Sequence, residues 1–355
     1  MVAVGVAVAL GAAMVATAGE SPLAVYRALT EGAFDRHGLP STLSRAVPIV
    51  GAGLAAAVAF RAGFFTLGVE GQMVLGGLVS ALTAIALAGL GAGAITVSVL
   101  AAVGAGAAYA GLATWFEFRF GVPILISTLL MNYPAVFAAS YLVSGPAGEA
   151  IGGVSQTALL PEAARLGELV PGTRLNVGAF VVLVLVGLAA FAFRGTWLGY
   201  EARMTGLNPR FARYGGVAVE RLGAKVMLAS GVIAGLVGAI QVLGVHYRFI
   251  DGSLTGPLYA WIGLMAALLA NSNPVGVVVA GLFFSALHTG GLEVERSTDL
   301  ARELALVLQA LIIMLVACRG AFRARDRVGR SGRAVGREVA GPSEAVGVEG
   351  VGGDA

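Results

Sequence analysis

Apolar runs of roughly 17 to 22 residues recur along this chain, separated by shorter polar stretches, and each is long enough for a helix to cross a bilayer. They predict ten spans. The first five are Val2 to Ala18, Leu43 to Phe60, Gln72 to Leu90, Ala94 to Thr114 and Ile124 to Leu142. The second five are Val177 to Phe193, Val226 to Gly244, Leu258 to Ala270, Val275 to His288 and Glu303 to Ala317. The eighth and ninth are short, about 13 residues each, and meet at Asn271-Ser272-Asn273-Pro274, which leaves half-spans or one re-entrant pair as readings. The first span has a rival, because Ala16-Thr17-Ala18 followed by Gly19 resembles a signal-peptidase site. Met1 to Leu10 carries no basic side chain, however, which favours a retained helix. Beyond Arg319 the chain is rich in Arg, Gly and Glu without apolar periodicity, which predicts a disordered tail over 319–355. The expectation is therefore an all-α polytopic membrane protein of about ten transmembrane helices, with one membrane domain over 1–318.

Composition agrees. Apolar residues make up 57% of the chain and charged residues 12%, against about 25% charged in soluble domains, and the mean hydropathy is +0.86. Glycine supplies 53 of 355 residues, roughly twice the usual ~7%, as close helix packing in lipid requires. Gly231 and Gly235 in the seventh span form one such small-residue pair. The 23 basic residues are 22 arginines and one lysine. With the N-terminus cytoplasmic, 15 of them fall inside and 8 outside, so the positive-inside bias predicts both termini in the cytoplasm. The basic surplus is thus a topology signal and calls for no nucleic-acid partner.

Several chemistries are excluded or left without support. Cys318 is the only cysteine, so no intrachain disulfide forms. Three histidines, none at metal-ligand spacing, give no metal site. Lys225 is the only lysine and follows Ala224, so the chain has no phosphate-binding loop of the Gly-Lys-Ser/Thr type and is not expected to hydrolyse ATP itself. No series of Asp, Glu and His crosses the spans as a proton relay would, which counts against an ion-coupled secondary transporter. His246, Tyr247, Arg248 and Asp251 cluster in an outer loop.

Three polar features interrupt the apolar pattern. The longest is an island from Arg194 to Lys225, holding six basic residues against Glu201 and Glu220. Within it Asn208 suits a helix cap, Pro209 a first helical position and Gly215 the residue past the end. Met204, Leu207, Phe211 and Tyr214 recur at three and four residues, and the bend at Gly206 and Asn208-Pro209 predicts two short helices, not one. A knobbly basic element of this kind fits a soluble partner's groove; it also reads as an ordinary positive cytoplasmic loop. The second feature is Phe60 to Gln72, where three glycines in nine residues predict non-helical backbone at or near membrane depth, tolerated only when buried or lining a wet cavity. Its Glu70 reads either as a pathway carboxylate or as an interfacial partner of Arg61. The third is Asn132-Tyr133-Pro134 in the fifth span. Pro134 frees a carbonyl beside an amide and an aromatic ring, groups suited to an uncharged, flat, hydrogen-bonding solute; the alternative is a kink repaired by Ser127 or Thr128.

Three stretches carry a family likeness: FRAGFFTLGVEGQ, STLLMNY and GYEARMTGLNPRFARYGG, with SGVIAGLVGAIQVLG after the last. Over roughly Ser21 to Cys318 the chain resembles the permease subunits of bacterial ABC importers for branched-chain amino acids, simple sugars and nucleosides. Within that group it is most similar to nucleoside importers served by a basic-membrane-protein-type lipoprotein. The resemblance implies a multi-pass protein of the bacterial cytoplasmic membrane that works by alternating access. It implies a coupling loop over 194–225, with Glu201, Arg203, Gly206, Asn208 and Pro209 engaging an ATPase subunit. It implies a solute route near Phe64, Phe65, Glu70, Gln72, Asn132 and Tyr133. It further implies an ATPase with two fused nucleotide-binding domains that binds the ATP and magnesium, a second permease subunit and an extracytoplasmic binding lipoprotein. The chain departs from the family pattern at Thr66, where asparagine is usual, and at Pro134 after the Asn-Tyr pair, both in the stretches nearest the solute route and so bearing on substrate identity; a simple sugar is the alternative to a nucleoside.

Overall fold

The computed structural model describes residues 12–13, 15–16, 21–36, 38–151, 153–170 and 172–297. The helices belong to one unit, Leu23–Ala305; the other, Met1–Pro22 with Leu306–Ala355, lies almost wholly outside the described residues. The expected tenth span and the tail lie outside them, as does the first span apart from four residues.

A 13-residue helix, α1 (Pro22–Phe34), precedes the first long span. Its Arg27 and Glu31 pair across one turn, and its length falls short of a crossing, so the apolar pattern gave no sign of it. The membrane helices then follow as α2 (Gly38–Arg61), α3 (Val69–Ala86), α4 (Gly93–Phe120), α5 (Ile124–Ser144) and α6 (Gly178–Gly195). Two short helices, α7 (Trp197–Leu207) and α8 (Pro209–Tyr214), lead to α9 (Val219–Gln241), which ends in a π turn (Val242–His246). The shorter α10 (Tyr259–Leu269) and the long α11 (Pro274–Ser297) complete the series. Among the described residues seven helices are long and apolar enough to cross a membrane: α2 to α6, α9 with its π turn, and α11.

Eight expected spans thus coincide with helices. The short ninth one is corrected: α11 is a 24-residue helix, because Thr289, Glu293 and Arg296 extend it beyond its apolar window. The eighth stays short at 11 residues, about 16 Å.

Helices α2 and α9 form the core. They are apolar on every side and mostly buried, α2 against α9, α10 and α11, and α9 against α3 and α4. Small residues permit this closeness. A Cβ on Gly235 would stand 2.4 Å from the Ala102 carbonyl oxygen, and one on Gly231 2.4 Å from that of Gly106, so the paired glycines of α9 lie against the α4 backbone. Helices α4, α5 and α6 are peripheral and turn Leu100 and Trp115, Phe137 and Tyr141, and Phe180 and Phe191 outward.

The π turn and the left-handed Tyr247 (φ 55°) open an irregular stretch before α10. Its backbone is satisfied within the protein, as irregular chain at this place requires. The short hairpin of β1 (Glu149–Ile151) and β2 (Val154–Gln156) and the residues after it supply the partners. Thr157 N donates to Phe249 O (2.9 Å), Leu160 N to Tyr247 O (2.9 Å) and Leu166 N to Leu243 O (2.9 Å). Ser140 Oγ donates to Asp251 Oδ2 at 2.7 Å, and Tyr247 donates to Glu168 and faces the Arg165 guanidinium 5.2 Å from its ring centre.

Candidate translocation site and coupling surface

Helix α2 stops at Arg61, the chain turns at Gly63 (φ 86°), and residues 64–67 run without helical bonds until α3 begins at Val69. The break expected from the glycines is present, and side chains of α5 satisfy it. Thr128 Oγ1 accepts from Leu67 N at 3.1 Å, Asn132 Nδ2 donates to Leu67 O at 2.8 Å, and Asn132 Oδ1 accepts from Gly71 N at 3.0 Å. Thr66, buried, accepts from Gly68 N at 3.2 Å. Asn132 is 5% exposed and stands eight residues beyond Ile124, about 12 Å along its helix. The first turn of α3 is therefore held well inside the bundle.

Glu70, in that first turn, accepts from the indole N–H of Trp261 on α10 at 3.0 Å. The alternative pairing with Arg61 is absent. Arg61 instead donates to Ser272 O at 3.3 Å, in the turn between α10 and α11, and its guanidinium lies 5.0 Å from the centre of the Phe193 ring on α6. Gln72 is buried, and its Oε1 has no partner among the described residues. Phe64 is half-buried against Gly223, Met227 and Ile124, a packing position. Phe65 is exposed and its ring centre lies 4.8 Å from that of Phe60.

The structure separates the two neighbours in Asn132-Tyr133. Tyr133 is 60% exposed and its ring is stacked on Phe137, with centres 6.4 Å apart, on the outward side of α5. The helix runs unbroken through Pro134. Ser127 and Thr128 bond the Ile124 carbonyl, too early to mend the proline site; the carbonyl that Pro134 leaves without its helical donor is that of Leu130, and Tyr109 of α4 donates to the next one, Met131 O, at 2.5 Å. Neither Tyr109 nor Trp261 was singled out in the sequence. Trp261 carries a lone strong donor inside an apolar run, which is a signal, but its acceptor is 191 residues away.

The island folds as two short helices, as its caps predict. Thr196 Oγ1 accepts from Gly199 N (3.2 Å) to start α7, and Asn208 Oδ1 accepts from Arg210 N and Phe211 N (3.1 Å each) to start α8 with Pro209 at its first position. Gly215 follows the last residue of α8. Arg203 donates to Phe193 O at 3.2 Å and so ties α7 to the end of α6. Glu201 is half-buried, without an ion pair among the described residues. Arg213 pairs with Glu220 at 2.5 Å. The apolar side of this element projects outward: Leu207 is 82% and Tyr214 92% exposed, with Phe211 between them. Its inner side rests on the α2–α3 break, since a Cβ on Gly206 would stand 2.3 Å from the Arg61 carbonyl oxygen.

A bundle of long apolar helices, broken where side chains of a neighbour take over the backbone bonds, defines a polytopic helical membrane protein. The chain belongs to the family described as branched-chain amino acid transport system / permease component, whose model matches residues 39–317. It is similar to the glucose ABC transporter permease protein TsgB13 of Haloferax volcanii, 31% identical over 91% of this chain and 87% of that one. It is also similar to the guanosine ABC transporter permease protein NupP of Bacillus subtilis, 30% identical over 91% and 93%. The nucleoside ABC transporter permease protein NupB of Lactococcus lactis is 25% identical over 87% of both chains. No solved structure matches the chain at a significant level.

Proposed function

We propose that this chain is one membrane half of an ATP-driven importer and that it moves nucleosides across the bacterial cytoplasmic membrane by alternating access. The observation that carries the reading is the seat of Gly206 on the Arg61–Gly63 backbone. An exposed, apolar-tipped, basic element touches the very turn whose far end is bonded to Asn132 and Trp261. A push on the island therefore reaches the buried turn of α3 through two backbones in contact. In this reading the chain crosses the membrane ten times with both termini in the cytoplasm. The island docks into an ATPase with two fused nucleotide-binding domains, which binds the ATP and magnesium and performs the hydrolysis. A second permease subunit and an extracytoplasmic binding lipoprotein complete the assembly.

Within the pathway Glu70 and Gln72 are the hydrogen-bonding groups, Phe65 supplies a flat face, and Asn132 and Phe64 hold the wall in place; Tyr133, whose ring faces outward, is left out of it. A simple sugar is the second reading, favoured by the likeness to a permease named for glucose. The test is uptake into vesicles holding the reconstituted assembly, with labelled guanosine and labelled glucose in parallel. ATP-dependent guanosine uptake supports the proposal. Glucose uptake alone moves it to the sugar reading, and uptake of either without ATP overturns the importer.

A further inference from the structure

At the end of the bundle opposite the island, four arginines converge on one cavity of about 650 Å³. Arg36 and Arg45 come from the turn before α2 and from its second turn, Arg174 from the loop before α6, and Arg296 from the end of α11. Among the described residues no acidic side chain lines the cavity itself; Glu31, Asp35 and Glu293 line an adjoining hollow that shares Arg45 and Arg296, so Arg36 and Arg174 are the two arginines that face this cavity alone. Arg296 has Glu293 at 4.0 Å, but no described carboxylate lies within ion-pair distance of Arg36, Arg45 or Arg174. The place of Arg174 is fixed, because the Ser44 hydroxyl of α2 donates to its carbonyl oxygen at 2.9 Å.

The same cavity holds two buried polar groups with nothing to bond. Gln241, at the end of α9, is 2% exposed, and its Nε2 finds no acceptor among the described residues; Nε2 of His246 is likewise buried and unpaired. Four guanidinium groups around one hollow repel one another, and a buried amide without an acceptor has lost its water for nothing. A ligand with several negative oxygens removes both costs at once, and guanidinium forks fit phosphate oxygens two at a time.

We propose that this cavity is an oxyanion site that takes a phosphate group, carried either by a free phosphate or phosphate ester or by the headgroup of an anionic lipid. The acidic surface of a docked soluble protein fits less well, because Gln241 among the lining residues is only 2% exposed and a broad protein surface does not approach it. The site does not depend on the transported solute and lies apart from the α2–α3 break.

The experiment is thermal unfolding of the purified full-length chain. In detergent it is titrated with inorganic phosphate against potassium chloride at equal ionic strength. In parallel it is reconstituted in nanodiscs of phosphatidylglycerol or of phosphatidylcholine. A saturable rise in Tm with phosphate assigns the free-phosphate source; a rise with phosphatidylglycerol alone assigns the lipid. The double variant Arg45→Gln, Arg174→Gln is expected to weaken the response at least tenfold, and Gln241→Leu, which keeps a side chain of similar size, to weaken it as well. The wild-type titration stands without any variant: no response to either probe overturns the site. So does a double variant that responds as the wild type does but no longer captures a soluble extracytoplasmic partner, which gives the arginines to a protein contact.

Discussion

Gly206 of the island and Arg61 at the end of α2 meet backbone to backbone, with no room for a side chain between them. Arg61 is also where other segments converge. Its side chain reaches the Ser272 carbonyl between α10 and α11 and covers Phe193 of α6, whose carbonyl in turn accepts from Arg203 of the island. In the proposed coupling route, displacing the island moves the α2–α3 turn, the α10–α11 turn and the foot of α6, which these contacts join.

Gly206→Val tests that contact. The added carbons meet the Arg61 carbonyl, part of a backbone that cannot swing aside as a side chain would, so the island is pushed off its seat. The expected outcome is a loss of ATP-dependent uptake of tenfold or more, with unchanged amounts of chain in the membrane fraction. Undiminished uptake removes the island from the coupling route.

Asn132→Leu tests the hold on the buried turn. Leucine fills the space but leaves Leu67 O and Gly71 N without their partners, at about 1–3 kcal/mol for each buried group. The chain should unfold at lower temperature in detergent, and uptake should fail while the ATPase still co-purifies.

These two sites differ in how far the chain announced them. Asn208-Pro209 and Gly215 fixed the island's two helices from local chemistry alone, because caps act within three residues of where they stand. The glycines of 60–72 likewise announced a break. What no local pattern held was the partner: Asn132 lies 65 residues from Leu67, and Glu70 lies 191 from Trp261. Periodicity also misjudged α11, whose polar last turns stay helical because Thr289 and Val294 remain buried in the bundle. Tyr133 shows the opposite error. Adjacency to Asn132 suggested a shared role, yet consecutive residues on a helix point about 100° apart, and the ring faces outward.

Trp261 and Glu70 should behave as one unit. Trp261→Phe keeps an aromatic ring and removes the N–H that Glu70 accepts; Glu70→Ala removes the acceptor. A double-mutant cycle on Tm is expected to give a coupling of about 1.5–3 kcal/mol, the range for a hydrogen bond to a charged group. Glu70→Gln, which still presents an acceptor oxygen but no charge, should keep only about 0.5–1.5 kcal/mol, the range for a neutral hydrogen bond. Additive effects across the cycle dissolve the pair.

The exposed tip of the island makes the opposite prediction, for partner binding without loss of fold. Leu207 and Tyr214 touch little of their own chain, so Leu207→Ala and Tyr214→Ala should change its stability by no more than about 0.5 kcal/mol. Large apolar groups held out on a short capped helix are nevertheless costly to leave in water, and a soluble groove that covers them gains what the bundle does not. If they anchor the ATPase, removing either weakens its binding by about 2 kcal/mol, the level that marks an interface anchor and roughly a thirtyfold change in affinity. Measured by titrating the ATPase onto the reconstituted chain, equal affinity for variant and wild type would place the docking contact elsewhere on the basic face. Weaker binding with an unchanged Tm would separate docking at the tip from transmission at Gly206, two steps on opposite sides of the same short element.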